Sequence, residues 1–328
     1  MAFINEVVDK VYVINLDKDR ERMESIGNQL KGLGIEYTRF SAIKGANVRR
    51  SKYLSDFCET FCTDGMKGCA ISHRLIWDDV VANNYKRVLI LEDDAVLSSN
   101  FNEEFERGWK QVPKDFDLFY LGCHFKCGDS NPVANLVTKV TNGDPKPVDT
   151  NILGVGGSWG THGYIISNKC AKVFQNLTID THIDFQMEVW TRQFNLKSYS
   201  ISPLIVATDN ADNKGSNLAD NFPPLLGLVT RRIKLSDTVS LETSLTQNHA
   251  KFGPFTVNVL VAIIFLVILL APLWVYPIIL GWLLAEFLYS FDYRSSTKFL
   301  FFIGAAAGLR YTVLRLLYPF IYRNLKRL

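Results

Sequence analysis

Three adjacent carboxylates are the side chains of this sequence best placed to carry chemistry. Glu92, Asp93 and Asp94 directly follow the apolar run 88–91. Four aliphatic residues in a row predict a strand buried on both faces, and ligands of open α/β sheets gather at the carboxyl ends of such strands. Adjacent carboxylates repel one another and are costly to desolvate, which favours a hard divalent cation, Mn²⁺ or Mg²⁺, bound through oxygen. A solvated acidic loop is the alternative.

Two upstream segments place other polar side chains where a ligand could be bound. Residues 68–77 predict the opening of a helix that carries Ser72 and His73. Residues 11–16 predict a strand, and the charged residues that follow it favour a helix. The end of the first strand and the helix after it usually form one wall of a nucleotide pocket. Asn15, Leu16 and Arg20 are therefore candidates for nucleotide contact.

These segments resemble glycosyltransferase family 25, which contains lipooligosaccharide and procollagen galactosyltransferases. The resemblance covers about residues 10–205 and rests on six separate blocks. The blocks are Ile14-Asn15-Leu16 with Arg20, Arg22 and Met23; Leu33-Gly34-Ile35 with Arg39-Phe40; Gly68-Cys69 with Ser72-His73 and Trp77; Leu91-Glu92-Asp93-Asp94; Asp117 to Gly122; and Thr161 to Ser167 followed by Ala171.

The resemblance implies an inverting transfer of galactose or glucose from a UDP-sugar to a hydroxyl of a glycan, glycolipid or glycoprotein. A divalent cation can neutralise the charge that grows on the diphosphate leaving group. Asp94 is the best single candidate for the metal ligand, and Glu92 is the second. Ser72, His73, Glu92 and Asp93 are candidates for the donor site.

The transfer also needs a carboxylate that takes the proton of the acceptor hydroxyl. Asp184 matches an acidic position of the family and is the candidate base, although an Asp at the start of a helix is also a common cap. The family usually has a Ser-Asp pair near the end of its domain. The matching residues here are Ser216 and Asn217, so Asn217 replaces the Asp and the pair lacks its carboxylate.

His162 and Tyr164 flank Gly163 at the start of a predicted strand, where a glycine permits close approach of a ligand to the backbone. Substrate contact and core packing remain equally open for these two side chains. Trp77, one helical turn after His73, is assigned to the core.

The alternation of strands and helices predicts an α/β fold with a mainly parallel sheet covered on both faces. This agrees with the Rossmann-like GT-A architecture that the resemblance implies. Strands are predicted at about 10–15, 36–42, 87–92, 117–121, 163–167 and 198–206, and helices at about 18–31, 69–84, 100–110, 168–176 and 183–195. The turn-rich segment 123–160 is predicted to be a long loop that borders the active site.

Composition and cysteine spacing narrow the class of protein. A chain of 328 residues that is 48% hydrophobic can bury a sizeable core, and a net charge of +3 is too small to argue for a nucleic-acid partner. Four cysteines form two C-x₃-C pairs, Cys58/Cys62 and Cys123/Cys127. With no secretory signal, reduced thiols are expected, and the pairs fit either a helix face or a zinc site.

A membrane region is predicted after a catalytic domain at 1–225 and a basic linker at 226–252. Residues 255–285 carry no charge and are long enough to span a bilayer, either as one kinked helix or as a hairpin that turns at 273–276. A second apolar segment, about 299–322, contains Arg310 and Arg315, which favours a shallow span or an interfacial helix. Basic residues on both flanks favour a catalytic domain on the cytosolic face.

Two other functional classes stay open. A metal-dependent phosphohydrolase or nuclease could use clustered carboxylates, but it would need further His or Asp ligands, and the five histidines are widely scattered. The other class is a non-catalytic membrane-anchored protein that binds a glycan or nucleotide. Asn217, in place of the family's Asp, would then mark an active site that has lost its function.

Overall fold

The computed structural model describes residues 2–128, 131–141, 144–208, 223–236 and 239–325, with side chains up to residue 316. It divides into two units, the first made of residues 1–218 and 234–240 and the second of residues 219–233 and 241–328. Ser216 and Asn217 lie outside the described residues.

Within the first unit an eight-stranded mixed sheet has the order β2-β1-β3-β8-β5-β9-β7-β6. Three of its pairings are parallel and four are antiparallel, so the prediction of a mainly parallel sheet is wrong. The strands of the first unit are β1 (Lys10–Asn15), β2 (Thr38–Ser41), β3 (Arg87–Glu92), β4 (Ala95–Leu97), β5 (Leu118–Gly122), β6 (Lys146–Asp149), β7 (Ile152–Gly154), β8 (Gly163–Ser167), β9 (Ser198–Ile201) and β10 (Val206–Thr208). Its helices are α1 (Ile4–Val7), α2 (Arg20–Gly32), α3 (Asp56–Phe61), α4 (Asp64–Ala82), α5 (Phe101–Gln111), α6 (Pro132–Val140), α7 (Asn168–Phe174) and α8 (Ile183–Gln193). Strands β4 and β10 form a separate antiparallel pair.

Both faces of the sheet are buried because its central strands are apolar throughout. In β3, Val88 and Ile90 belong to one core cluster, and Leu89 and Leu91 belong to the other. This alternation follows from the period of two of a β-strand. Helices α4, α7 and α8 supply side chains to the first cluster, and α1, α2 and α5 supply them to the second.

The pairing of the central strands brings three chain segments to one edge of the sheet. Strands β1 and β3 are parallel, and Ile14 lies opposite Glu92. Strand β8 is antiparallel to β3, with Gly163 opposite Leu91. The edge of the sheet at which β1 and β3 end therefore also contains the residues just before β8. This edge carries the predicted site.

The structure differs from the prediction over 123–160, which is not a single loop. Helix α6 begins after Asn131, whose side-chain oxygen accepts hydrogen bonds from the backbone of Val133 and Ala134. The Asn-Pro pair that indicated a turn is thus a helix cap followed by proline in the first turn. Strands β6 and β7 extend the sheet beyond β9, and strands of four and three residues are too short to show periodicity.

The C-x₃-C pairs form disulfides, Cys58–Cys62 and Cys123–Cys127, so the expectation of reduced thiols is wrong for this structure. The structural zinc site considered for the same cysteines is wrong as well, because no free thiolate is left in them. Cys69 and Cys170 are the free cysteines.

The second unit contains α9 (Pro224–Thr230), α10 (Leu241–Thr246), β11 (Asn248–Phe252), β12 (Phe255–Asn258), α11 (Val259–Leu270), α12 (Val275–Ser290) and α13 (Tyr293–Leu325). The uncharged segment 255–285 is therefore not one long helix. It begins as a strand and breaks between α11 and α12, which have 12 and 16 residues. At about 1.5 Å per residue each is shorter than the ~30 Å core of a bilayer.

Among the described residues, one helical segment is long and apolar enough to cross a membrane, and it lies in α13 at Tyr293–Leu316. The prediction from sequence had instead given the stronger membrane signal to the preceding apolar segment, residues 255–285. The identification rests on the length and composition of this helix.

The break after α11 explains why Arg310 is tolerated in an apolar helix. Pro272 has no N–H to donate to the carbonyl of Ile268, four residues earlier. That carbonyl instead accepts hydrogen bonds from Tyr276 Oη at 2.8 Å and Arg310 Nη1 at 3.2 Å. Arg310 also donates to the carbonyl of Ala271. The guanidinium is therefore used as a cap for the end of α11.

We expect Arg310→Met to destabilise the second unit by about 1–3 kcal/mol, because the carbonyl of Ala271 would lose the arginine donor and that of Ile268 would keep only Tyr276. The matched control is Arg315→Met, since Arg315 is an exposed arginine of the same helix. Thermal unfolding and limited proteolysis of the full chain in detergent would measure the effect. Equal stability of the two variants would contradict the capping role.

Candidate active site

Asp93 is fixed in place by two neighbouring side chains. Asn15, buried at the end of β1, donates from Nδ2 to Asp93 Oδ2 at 2.7 Å. Arg22, on α2, donates from Nη1 to the other oxygen, Asp93 Oδ1, at 3.2 Å. The amide oxygen of Asn15 accepts a hydrogen bond from Arg39 Nε at 2.9 Å. Because both oxygens of Asp93 already accept hydrogen bonds, this carboxylate is suited to holding the first strand end and α2 against the acidic segment.

Asp94 differs from Asp93 in having an oxygen with no partner. Its Oδ1 is buried and accepts no hydrogen bond from any residue that the structure describes. The nearest cation is Arg22, whose Nη1 lies 4.0 Å from Asp94 Oδ2. Burial and the adjacent charge of Glu92 raise the pKa of Asp94 to about 7, against the opposing effect of Arg22. A bound cation would stabilise the ionised form of Asp94 against both effects, so Asp94 fits the ligand of a hard metal ion.

Glu92 is held by residues from α4 and from the segment before β8. Thr161 Oγ1 donates a hydrogen bond to its Oε1, and His73 Nε2 lies 3.5 Å from the same oxygen. Burial raises the pKa of Glu92, but His73, Thr161 and His162 together outweigh burial and bring the pKa down to about 2. Glu92 is therefore ionised at any physiological pH.

His73 is completely buried and lies at the inner wall of the site. Its Nδ1 is 2.9 Å from the hydroxyl of Tyr164, and that hydroxyl accepts a hydrogen bond from Trp77 Nε1 at 3.0 Å. The Tyr164 proton is then available for Nδ1, which assigns the imidazole proton to Nε2, the nitrogen that faces Glu92. Tyr164 and Trp77 are core residues that orient His73.

Ser72 has both of its hydrogen-bonding functions satisfied within the protein. Its Oγ accepts from the backbone of Ile43 at 2.9 Å and donates to the carbonyl of Gly68 at 2.7 Å. A Cβ at position 68 would lie 2.4 Å from the carbonyl oxygen of Ile43, so only glycine lets this loop approach α4 so closely. Ser72 and Gly68 therefore position the loop that covers one side of the site.

These residues enclose a cavity of about 280 Å³. The prediction from sequence had found several of its lining residues, namely Leu16, Ser72, His73, Glu92, Asp93 and Asp94. Two further lining residues, Arg22 and Cys69, were missed as site residues. Arg22 lies in the first turn of α2, the helix predicted after the first strand, and this position could have identified it as a site residue.

Arg20 lies elsewhere, in an open groove of about 1080 Å³ that Asn15 and Arg39 also line. The residues proposed for nucleotide contact are therefore divided between two concave regions. Leu16 lines the cavity, Arg20 lines the groove, and Asn15 joins the two through its hydrogen bonds to Asp93 and Arg39.

Asp184 lies in the first turn of α8 and is anchored by backbone N–H groups. Its Oδ2 accepts from Gly160 at 3.1 Å, and its Oδ1 accepts from Phe185 at 2.7 Å. Gly160 has a φ of +97°, and a Cβ there would lie 3.0 Å from the rings of His124 and His162. Glycine at this position therefore allows the segment before β8 to reach Asp184.

The charge of Asp184 acts on Cys69, a residue of the cavity wall. Burial raises the pKa of the Cys69 thiol, and the charges of Glu92, Asp184 and Asp94 raise it further. Cys69 therefore lies within electrostatic reach of the candidate base as well as of the candidate metal ligands. Asp184 itself does not line the cavity of about 280 Å³.

His162 is the unusual side chain beside this group. It is 2% exposed, and neither ring nitrogen has a hydrogen-bond partner among the described residues. Its ring centroid lies 4.6 Å from that of His124. Burial lowers the pKa of His162 to about 3, and the neighbouring His124 contributes to this shift. His162 is therefore neutral, and its place in the core favours packing over substrate contact.

Comparison with known proteins identifies similar sequences. A profile of glycosyltransferase family 25, described as an LPS biosynthesis protein family, matches residues 8–187. A Drosophila melanogaster protein named glycosyltransferase 25 family member is 28% identical over 227 residues, which covers 61% of this chain and 35% of that protein. A procollagen lysyl hydroxylase and glycosyltransferase of Acanthamoeba polyphaga mimivirus is 31% identical over 193 residues, covering 52% and 20% of the two chains.

A human relative carries a different description. It is named inactive glycosyltransferase 25 family member 3, and it is 32% identical over 128 residues, covering 35% of this chain and 22% of that protein. The chain thus spans well under half of the length of each of these three relatives.

Proposed function

This chain belongs to glycosyltransferase family 25, and from that membership we propose that it is a metal-dependent inverting hexosyltransferase of GT-A architecture. It would move galactose or glucose from a UDP-sugar to a hydroxyl of a glycan, glycolipid or glycoprotein. The observation that supports this proposal best is the unpartnered buried oxygen of Asp94 at a cavity that Arg22 also lines. A carboxylate with a free oxygen beside an arginine suits a site for a cation and a diphosphate.

In this proposal Asp94, with Glu92, would hold Mn²⁺ or Mg²⁺. When bound, the cation neutralises charge on the diphosphate leaving group. Arg22 contributes a fixed positive charge beside the same carboxylates, and Asp93 keeps Arg22 in position through the contact at 3.2 Å. His73 and Thr161 keep Glu92 ionised and oriented.

Asp184 is the proposed base. Backbone N–H groups hold both of its oxygens, so the carboxylate keeps a fixed orientation while lone pairs remain to accept the acceptor proton. The proton would pass from the acceptor hydroxyl to Asp184 as the oxygen attacks the anomeric carbon, and the nucleoside diphosphate would leave from the opposite face.

Incubation of the purified full chain with a panel of nucleotide-sugars and Mn²⁺ tests this function. Released UDP together with transfer to an added acceptor is the expected result. Release of inorganic phosphate would instead indicate a phosphohydrolase. Nucleotide binding without release would indicate a non-catalytic binding protein, a class that the name of the human relative keeps open.

We further propose that the second unit attaches the enzyme to a membrane. A chain that ends after Ser240 retains all of the first unit and lacks α10 to α13. We expect the full chain to partition into detergent and the shortened chain to stay in the aqueous phase, because the apolar helices are removed. Detergent partitioning of both forms measures this, and an aqueous full chain would contradict membrane attachment.

Asn176-Leu177-Thr178 is a glycosylation sequon that reports the side of the membrane on which the first unit lies. Asn176 is exposed, so an acceptor site is available. The basic flanks of the apolar region favour the cytosolic face, where Asn176 would remain unmodified in a eukaryotic membrane preparation, whereas the two disulfides of the first unit favour an oxidising compartment. A glycan would place the domain in the lumen, the oxidising location in which disulfides such as Cys58–Cys62 are typical.

A further inference from the structure

Three side chains with different ligand chemistry converge on the inner wall of the cavity. The Sγ of Cys69, an imidazole nitrogen of His73 and a carboxylate oxygen of Glu92 all lie within 4.8 Å of one another. No other group of three His, Cys, Asp or Glu residues in the described part of the chain meets this condition. In particular, the consecutive acids Glu92, Asp93 and Asp94 do not converge on one point in this way.

The separations suit a small ion with tetrahedral coordination. Zinc binds sulfur at about 2.3 Å and nitrogen or oxygen at about 2.0–2.2 Å, which puts neighbouring ligand atoms about 3.5 Å apart. His73 Nε2 and Glu92 Oε1 already lie 3.5 Å apart. A small inward movement of the Cys69 side chain would complete three positions, and the fourth would face the cavity.

The nitrogen that faces this point lies 3.5 Å from Glu92 Oε1, too far for a good hydrogen bond. His73 is completely buried, and its Nε2 makes no hydrogen bond to any described residue. Binding of a metal by Nε2 would move the imidazole proton from Nε2 to Nδ1, which would then donate to the oxygen of Tyr164, 2.9 Å away. Hydrogen bonds of this type, made by the ring nitrogen that does not bind the metal, orient ligating histidines in metalloproteins. Thr161 plays the corresponding part for Glu92.

We propose that Cys69, His73 and Glu92 form a binding site for a thiolate-preferring divalent transition metal, with Zn²⁺ as the best fit. A thiolate and an imidazole select zinc or cobalt over manganese and magnesium, which prefer oxygen alone. This site is therefore chemically distinct from the Asp94 site proposed for the catalytic cation, although the two share Glu92. The proposal does not depend on glycosyl transfer, because it concerns metal binding alone.

Cobalt titration of the full chain in detergent, freed of bound metal and of any affinity tag, tests the proposal. Co²⁺ bound to a thiolate gives a near-ultraviolet sulfur-to-metal charge-transfer band, and tetrahedral Co²⁺ gives intense visible bands. We expect both signals at one equivalent and their loss when Zn²⁺ is added. Cys69→Ser should remove the charge-transfer band, whereas Cys170→Ser should keep it, because Cys170 is a buried free thiol that does not belong to the group of three converging ligands.

A second measurement uses the unmodified sequence, in case Cys69→Ser fails to fold. Zn²⁺ should protect Cys69 from alkylation, as detected by peptide mass spectrometry, and Mg²⁺ should not. Absence of the charge-transfer band in the folded chain, its survival in Cys69→Ser, or alkylation of Cys69 that Zn²⁺ leaves unchanged would each overturn the site. None of these results bears on UDP release, so the glycosyltransferase proposal is judged separately.

Discussion

Asp94→Asn is expected to lower hexose transfer by about 10²-fold or more, because a metal ion supplies several kcal/mol of charge stabilisation to the transition state. The amide has nearly the same shape as the carboxylate but carries no charge, so the fold should survive. Asp94 is the member of the acidic segment with a buried oxygen that accepts no hydrogen bond from any described residue. Turnover at saturating Mn²⁺ and the affinity for Mn²⁺ are the quantities to measure.

Asp93→Asn is the matched control, since it makes the same chemical change one residue away. Asp93 accepts hydrogen bonds from Asn15 and Arg22, so its replacement should lower stability and disturb Arg22 while leaving more of the activity. The assignment of Asp94 would be wrong if Asp94→Asn retained wild-type turnover at saturating Mn²⁺, or if Asp93→Asn proved the more damaging change.

The central sheet could be predicted from sequence because its strands are buried on both faces. β1 and β3 were predicted with the bounds they have, at 10–15 and 87–92, and β8 also matches its predicted range of 163–167. Uninterrupted apolar runs leave little freedom in where such strands begin and end. Short edge strands such as β7, with three residues, offer no comparable signal.

Helix α4 shows how tertiary contact can reverse a local signal. Its prediction began at residue 69, but the helix starts at Asp64 with Thr63 as a cap that accepts from Met66 N. Gly68 looked like a helix boundary. In the structure it is an interior glycine that touches the backbone of Ile43 and Gly45, and sequence alone does not show such a contact.

The candidate site was predictable where residues adjoin strand ends and unpredictable where they come from the middle of helices. Glu92 to Asp94 and Asn15 follow from the parallel pairing of β1 with β3. Arg22 reaches the acids from α2, and Cys69 reaches Glu92 from α4. Their positions depend on how each helix is rotated against the sheet, which is set by packing over its whole length.

The final prediction concerns Asp184, which was chosen from family position alone. In the structure it is tied to Gly160, next to Thr161, the residue that holds Glu92. A base at this place should act on turnover and leave nucleotide binding intact. We therefore expect Asp184→Asn to lower kcat by about 10²-fold or more while the Kd of the donor stays nearly unchanged.

Asp180→Asn is the control for Asp184→Asn, because Asp180 is an exposed carboxylate four residues earlier in the chain. It should leave both kcat and donor affinity unchanged. Thermal unfolding of Asp184→Asn would show whether the amide disturbs the contacts to Gly160 and Phe185. If donor affinity falls together with kcat while the fold is retained, Asp184 belongs to the nucleotide pocket. The base would then have to be another carboxylate near the cavity, because the removal of a pure base affects only the transfer step.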